Sequence, residues 1–258
     1  MIKLEHFVGP SPEQMRFIID GMRNPKNSWD KSDSICYAQE MKDDGTMEYS
    51  DFLLGEEDHK LMMKLAKAGT DHRKYLRMIP VYIRITAPLY WWKEFDTYKV
   101  GTVANSCSTM HTIAEKEFTI EDFSTEHLSA MSSKALRLEI RYLESLRDAY
   151  LKLDGNQIVA NMSKKDIWWQ MIQLLPSSYN QTRNVMMNYE VLANIYKSRK
   201  NHKLDEWRTF CKWIEMVPWS ELICQWPEEE AKKSGWIPEC MNKPLNEGSD
   251  IDGEVYGD

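Results

Sequence analysis

Apolar and polar positions follow two rhythms along this chain. Residues 2–8 alternate apolar with polar, the period of a strand, and Gly9-Pro10 closes the run. Ser11 stands at a helix N-cap, Pro12 at the first helical position, and Met15, Ile18, Ile19 and Met22 form one buried stripe. Residues 24–34 are turn-rich, and residues 35–49 suit a short hairpin around Asp44-Gly45. Residues 56–68 open with acids, carry Leu61, Met62, Leu65 and Ala66 at helical spacing, and stop at Gly69, which predicts a second helix. Residues 80–86 return to the two-residue period, with Val81, Ile83 and Ile85 against Tyr82, Arg84 and Thr86, and Ala87-Pro88 ends the strand. Residues 89–100 then read as a helix dense in aromatics.

The second half is predominantly helical in pattern. Ser132 or Ser133 caps a long helix to Leu153, with Leu136, Ile140, Leu143, Leu146, Tyr150 and Leu153 on one face. Ser163 begins another through Trp168 and Ile172 to Leu175, stopped by Pro176. Residues 182–198, and 204 to Trp213 or beyond, complete the set, with Pro218 ending or kinking the last helix. There is no internal repeat. The class is α+β, a single helix-rich domain over residues 1–226 with a small antiparallel sheet, followed by residues 227–258 as an acidic tail expected to be disordered.

Charge sharpens this division. The chain of 258 residues carries a formal net charge of −7. Residues 227–258 hold nine acids against three lysines and so account for −6 of it. A near-neutral body argues against duplex nucleic acid as the partner, because that needs a basic face. No apolar run approaches the roughly 18–20 residues of a membrane span, and the opening lacks a signal-peptide pattern. Five cysteines without a CxxC pair point to a reduced, cytoplasmic setting.

Chemistry concentrates in residues 87–111. Residues 102–112 (TVANSCSTMHT) are small, hydroxylic and nearly uncharged, a composition suited to a close-packed loop or helix beside a ligand. Lys93, Glu94, Lys99, Asn105, Ser106, Cys107, Ser108 and His111 lie within one short reach, donors and acceptors for a phosphate and a base edge. The plainer reading makes Trp91 and Trp92 core and the serines caps. Cys107 and His111 stand four apart, which on a helix would pair thiol and imidazole as nucleophile and base; a buried, inert cysteine is the commoner case. Arg183, in the run NQTRNVMMN after a Pro-Ser-Ser turn, falls in the first turn of an expected helix, where a guanidinium can grip a carboxylate, phosphate or carbonyl oxygen. A basic run, KSRKNHK over residues 197–203, suits either a phosphate or a solvated helix end. His59 and His72 have no partners at a ligand spacing, so no metal site is expected.

At Ala87-Pro88 and the segment after it, the sequence resembles the flavin-dependent thymidylate synthases. The resemblance is one of order and spacing over most of residues 15–215. Asp20-Gly21-Met22 stands for that family's early turn, Val81 to Pro88 for its strand ending in Ala-Pro, and Tyr90 to Phe95 for its aromatic helix. Leu175-Pro176, Arg183 to Tyr189 and Asp205-Glu206-Trp207 follow in the family's order. The signature between them has changed: Thr97-Tyr98-Lys99 stands in place of the family's Arg-His-Arg, Thr102 and Cys107 in place of its two serines, Ala104 in place of its asparagine, and Thr109-Met110 in place of its closing Arg-Tyr.

The resemblance implies a homotetramer that methylates, or hydroxymethylates, a pyrimidine deoxynucleotide such as dUMP, using reduced FAD, NADPH and methylene-tetrahydrofolate. On that reading Thr97, Tyr98, Lys99 and Thr102 face the cofactor. Glu94, Asn105, Ser106, Cys107, Ser108 and His111 face the nucleotide. Arg183 reaches the pyrimidine and stabilises charge on its ring oxygen. A relative that binds a nucleotide or a partner without flavin chemistry, and a thiol enzyme using Cys107 and His111, remain as alternatives.

Overall fold

The computed structural model describes residues 2–41, 47–154, 158–159 and 161–225. In chain order the elements are β1 (Lys3–Val8), α1 (Pro12–Arg23), β2 (Ile35–Met41), β3 (Met47–Leu53), α2 (Glu56–Lys67), β4 (Pro80–Pro88), α3 (Leu89–Phe95), β5 (Val103–Ser106), α4 (Thr109–Thr112), α5 (Ala130–Lys152), β6 (Ile158–Val159), β7 (Met162–Ser163), α6 (Lys164–Leu174), β8 (Asn180–Asn188), α7 (Tyr189–Arg199), α8 (Asp205–Met216) and α9 (Glu221–Cys224). This is the expected α+β class. A four-stranded sheet runs in the order β1-β4-β8-β5, and β2-β3 and β6-β7 form two small antiparallel pairs. Thr86 meets Thr182 and Arg84 meets Asn184, so numbers rise along β4 as they fall along β8 and that pair is antiparallel.

The chain divides into two compact units. The first holds Met1–Lys3, Ile85–Thr97 and Asn105–Arg183. Its core joins Ile140, Leu143 and Leu146 of α5 to Ile167 and Met171 of α6, with Phe118 and Phe123 from the segment before α5. Helix α6 begins at Ser163, whose side chain accepts from the Asp166 N–H while Asp166 answers with a capping box. The cap of α5 is Ser129, not Ser132 or Ser133: its hydroxyl accepts from the Ser132 N–H, so the helix starts one turn before its apolar stripe.

The second unit holds Leu4–Arg84, Tyr98–Ala104 and the chain from Asn184 onward. Met15, Ile18, Ile19 and Met22 are buried on α1, whose cap is Ser11 with Gln14 completing a capping box. The hairpin is present, pairing Ile35 with Leu53 and Cys36 with Phe52, while its Asp44-Gly45 turn lies outside the described residues. Trp207, Phe210, Trp213 and Ile214 of α8 are buried, Phe210 stacked on Trp213 at 5.2 Å. Between α1 and α2, Arg23 Nε donates to Asp58 Oδ1 at 2.5 Å with both side chains almost wholly buried. Asp58 Oδ2 accepts from the hydroxyls of Ser32 and Ser34 and from the N–H groups of Asp33 and Ser34. Every oxygen of that buried carboxylate is therefore satisfied.

Several expectations are corrected. Strands also occur in the half whose pattern is predominantly helical, where β6 to β8 lie. The strand over 80–86 continues through Ala87-Pro88. The aromatic helix stops at Phe95 rather than residue 100: the Thr97 hydroxyl donates to the Glu94 carbonyl at 2.7 Å, and Gly101 turns the chain at φ +79°. Residues 103–106 form a strand and 109–112 a single helical turn, not one loop or helix. The run NQTRNVMMN is strand β8, and the helix begins only at Tyr189.

Candidate functional site

The first unit brings strand β8 against the segment that joins β5 to α4. The Cys107 N–H donates to the Thr182 carbonyl at 3.0 Å, fixing that joint to the strand. Side chains alternate along a strand, so Gln181 and Arg183 share one face of β8 and Thr182 takes the other, its hydroxyl 2.7 Å from that of Thr86. Gln181 Nε2 donates to the Cys107 carbonyl at 3.2 Å and to Thr109 Oγ1 at 3.0 Å. Its Oε1 accepts from Arg183 Nε at 2.9 Å. Both amide hydrogens and the amide oxygen are thus used, and Gln181 is held in one rotamer.

Helix α3 supports the same strand. The Trp92 indole N–H donates to the Gln181 carbonyl at 2.8 Å. The Arg183 guanidinium carbon lies 4.2 Å from the centre of the Trp92 ring, and Nη1 donates to Asp96 Oδ1 at 2.7 Å. Arg183 is therefore stacked, paired and hydrogen-bonded at once, in a strand rather than in a helix's first turn.

Beside this arrangement is a cavity of about 280 Å³. Its polar wall is Ser106, Cys107, Ser108, Thr109 and Gln181; Leu89, Ile172 and Leu175 make the apolar wall. The residues that line it among those described are uncharged. A surface with hydroxyls and a thiol on one side and aliphatic side chains on the other can hold a flat polar ring by its edge and its face.

The structure groups only some of the residues singled out in the sequence. Ser106, Cys107 and Ser108 line the cavity, with Gln181 linking them to Arg183. Asn105 is exposed on β5, His111 is exposed on α4, and Glu94 is half-buried on α3. Cys107 precedes α4, with Ser108 at the N-cap position, so the i, i+4 helical geometry that would pair it with His111 is not formed. Gln181 and Thr109 were missed. Both lie in runs that the sequence singles out, 102–112 and NQTRNVMMN, but their part in the site became visible only when β8 proved to be a strand.

Of the segment compared with a cofactor grip, Thr97 spends its hydroxyl on the Glu94 carbonyl. In the second unit, the Tyr98 hydroxyl accepts from Arg199 Nε at 3.0 Å, and the Tyr98 ring meets Trp207 edge-on at 5.9 Å. Arg199 also sits 4.8 Å from the Trp207 ring, so part of the basic run serves packing. Lys99 is exposed, and Thr102 Oγ1 is buried without a hydrogen-bond partner among the described residues. No group of three or more His, Cys, Asp or Glu side chains suited to a metal occurs among the described residues. No helix there is long and apolar enough to cross a membrane.

No protein-family model matches the sequence, and neither does any curated protein. Solved structures do match. Thymidylate synthase X from Helicobacter pylori, crystallised with FAD and dUMP, superposes with a TM-score of 0.55 at 15% identity over 94% of this chain and 99% of that one. A second structure of the Helicobacter pylori flavin-dependent enzyme, complexed with FAD and dUMP, gives 0.53 at 15% identity over 86% and 96%. The UMP/dUMP methylase PolB from Streptomyces cacaoi, bound with 5-Br dUMP, gives 0.53 at 12% identity over 90% and 95%. The chain has the flavin-dependent thymidylate synthase fold.

Proposed function

We propose that this chain binds a pyrimidine deoxynucleotide, with dUMP as the first candidate, in the cavity between β8 and the 106–109 segment. The observation that carries the reading is a hydroxyl-lined cavity of about 280 Å³ whose wall is held by Gln181, bonded through its side-chain amide to Arg183, Cys107 and Thr109 and through its main-chain carbonyl to Trp92. Hydroxyls that both donate and accept match the carbonyl and N–H edge of a uracil ring. The aliphatic wall matches its face. The solved neighbours crystallised with dUMP or 5-Br dUMP support the choice of ligand.

The fuller reading is methylation or hydroxymethylation of that ring with reduced FAD and methylene-tetrahydrofolate, and it needs a grip on flavin. Thr97 and Tyr98 do not fit such a grip, since neither carries a positive charge in place of the family's Arg-His-Arg, the Thr97 hydroxyl donates to Glu94 and the Tyr98 hydroxyl accepts from Arg199. Lys99 supplies one exposed cation. Nucleotide binding without this grip is the function that these residues support. Arg183 acts indirectly: its bond to Gln181 fixes the amide that holds Cys107 and Thr109, and so the wall of the cavity, in a single orientation.

The test is the visible spectrum of the purified chain with added FAD, with and without dUMP, beside calorimetric titration of dUMP. Binding of dUMP with no retained flavin band is expected. A flavin band near one per chain would overturn the flavin-free reading in favour of the methylating enzyme. Absence of dUMP binding would overturn the nucleotide reading itself.

A further inference from the structure

The wall chemistry narrows the ligand beyond the proposed function, on which the following step rests. A phosphate dianion taken out of water needs a cation or a dense set of donors, because an unpaired buried charge is costly. The described residues lining the cavity carry none. Arg183, the nearest cation in the hydrogen-bond chain, is neutralised by Asp96 at 2.7 Å and turned toward Gln181 at 2.9 Å. Helix α4 is one turn of four residues, too short to offer a useful dipole. What the wall does supply is three hydroxyls and a thiol, on a segment held in place by the Gln181 amide, opposite three aliphatic side chains. That set suits the uncharged part of a nucleotide, the ring and sugar. The volume, just below the roughly 300–1,000 Å³ of ordinary small-molecule sites, suits one ring and sugar better than a dinucleotide.

We infer that the cavity recognises the pyrimidine nucleoside moiety, with the 5′-phosphate left in solvent and contributing little to affinity. The consequence is that deoxyuridine and dUMP bind alike. Their affinities differ by no more than about threefold, well short of the tenfold that 1.4 kcal/mol would give. Their salt dependence is equally shallow, since no ion pair forms. Inorganic phosphate does not compete.

The experiment titrates the full chain calorimetrically with deoxyuridine, dUMP and inorganic phosphate at low and physiological salt. Each nucleoside ligand is then used to protect Cys107, an exposed thiol of the wall, from iodoacetamide, read by peptide mass. Matched affinities and matched protection of Cys107 are expected. Ser108→Arg, which adds a cation to the wall, is expected to favour dUMP over deoxyuridine by about tenfold. If dUMP binds more than about tenfold tighter than deoxyuridine to the unaltered chain, the inference falls and nucleotide binding stands. If neither binds, both fall. Binding that leaves Cys107 fully reactive would overturn the placement in this cavity.

Discussion

Asp58 shows how much one side chain decides here. Burial alone would push its carboxyl up, but hydrogen bonds from Ser34, Ser32 and Arg23 and the Arg23 charge outweigh burial and hold it below its ordinary value of 3.8. A carboxyl depressed by folding contributes in full above its unfolded value, and the contribution is lost as pH falls through the lower folded value. Unfolding in denaturant should therefore show stability declining below about pH 4. Asp58→Asn should flatten that decline while costing about 3–5 kcal/mol near neutrality, because the buried Arg23 loses its counter-charge. An equally steep acid decline in the variant would show that other carboxylates govern it. Gly101 makes a different demand. Its φ of +79° disfavours a side chain, and an added Cβ would lie 2.8 Å from Asn188 Nδ2, the same side chain whose oxygen caps α7 at the Val191 N–H. Gly101→Ala is expected to lower stability by about 1–3 kcal/mol, seen as a lower melting temperature. Nothing in the identity of Gly101 distinguishes it in the sequence from Gly69, where the left-handed φ meets no neighbour.

At the level of elements, periodic segments were legible and the site strand was not. Helices α1, α2, α5, α6 and α8 announce themselves by their apolar stripes, α1 and α6 also by their caps, and β4 by its strict alternation. Strand β8 is NQTRNVMMN, with only Val185, Met187 and Asn188 buried in its second half and polar residues before them, so its period is hidden. Pairing with β4 makes it a strand, as the Thr86–Thr182 and Arg84–Asn184 contacts record. The same pairing puts Gln181 and Arg183 on one face and so creates the site. Gln181→Leu removes the bonds to Cys107 and Thr109 and leaves both acceptors short of a partner. Hydrogen exchange at the Cys107 amide should quicken by about tenfold, the equivalent of 1.4 kcal/mol of lost closure. Affinity for dUMP should fall with it. Unaltered exchange would mean that the main-chain bond to Thr182 alone holds the segment.

For the whole chain, thiol reactivity offers a check on which groups the fold encloses. Burial pushes the Cys211 and Cys224 thiols up to about 12, whereas Cys107 is exposed. Limited alkylation of the native chain at mildly alkaline pH should therefore mark Cys107 well before Cys211 or Cys224, and denaturation should level the three. Early labelling of Cys211 would contradict the packing of α8. The sequence by itself determined the α+β class, most helix positions and the neighbourhood of residues 106–108, because apolar period, capping residues and small hydroxylic composition are local properties written residue by residue. Only the tertiary structure decided that Arg183 lies in a strand and that Gln181 and Thr109 belong to the site. It alone decided that Cys107 precedes a helix instead of sharing one with His111, and that Thr97 and Tyr98 bond within the chain. Each of these depends on a partner between 72 and 101 residues away, or on a local helix end closing where the pattern would have let it run. Long-range hydrogen bonds have no period in sequence, so the structure must bring their partners together before they can be read.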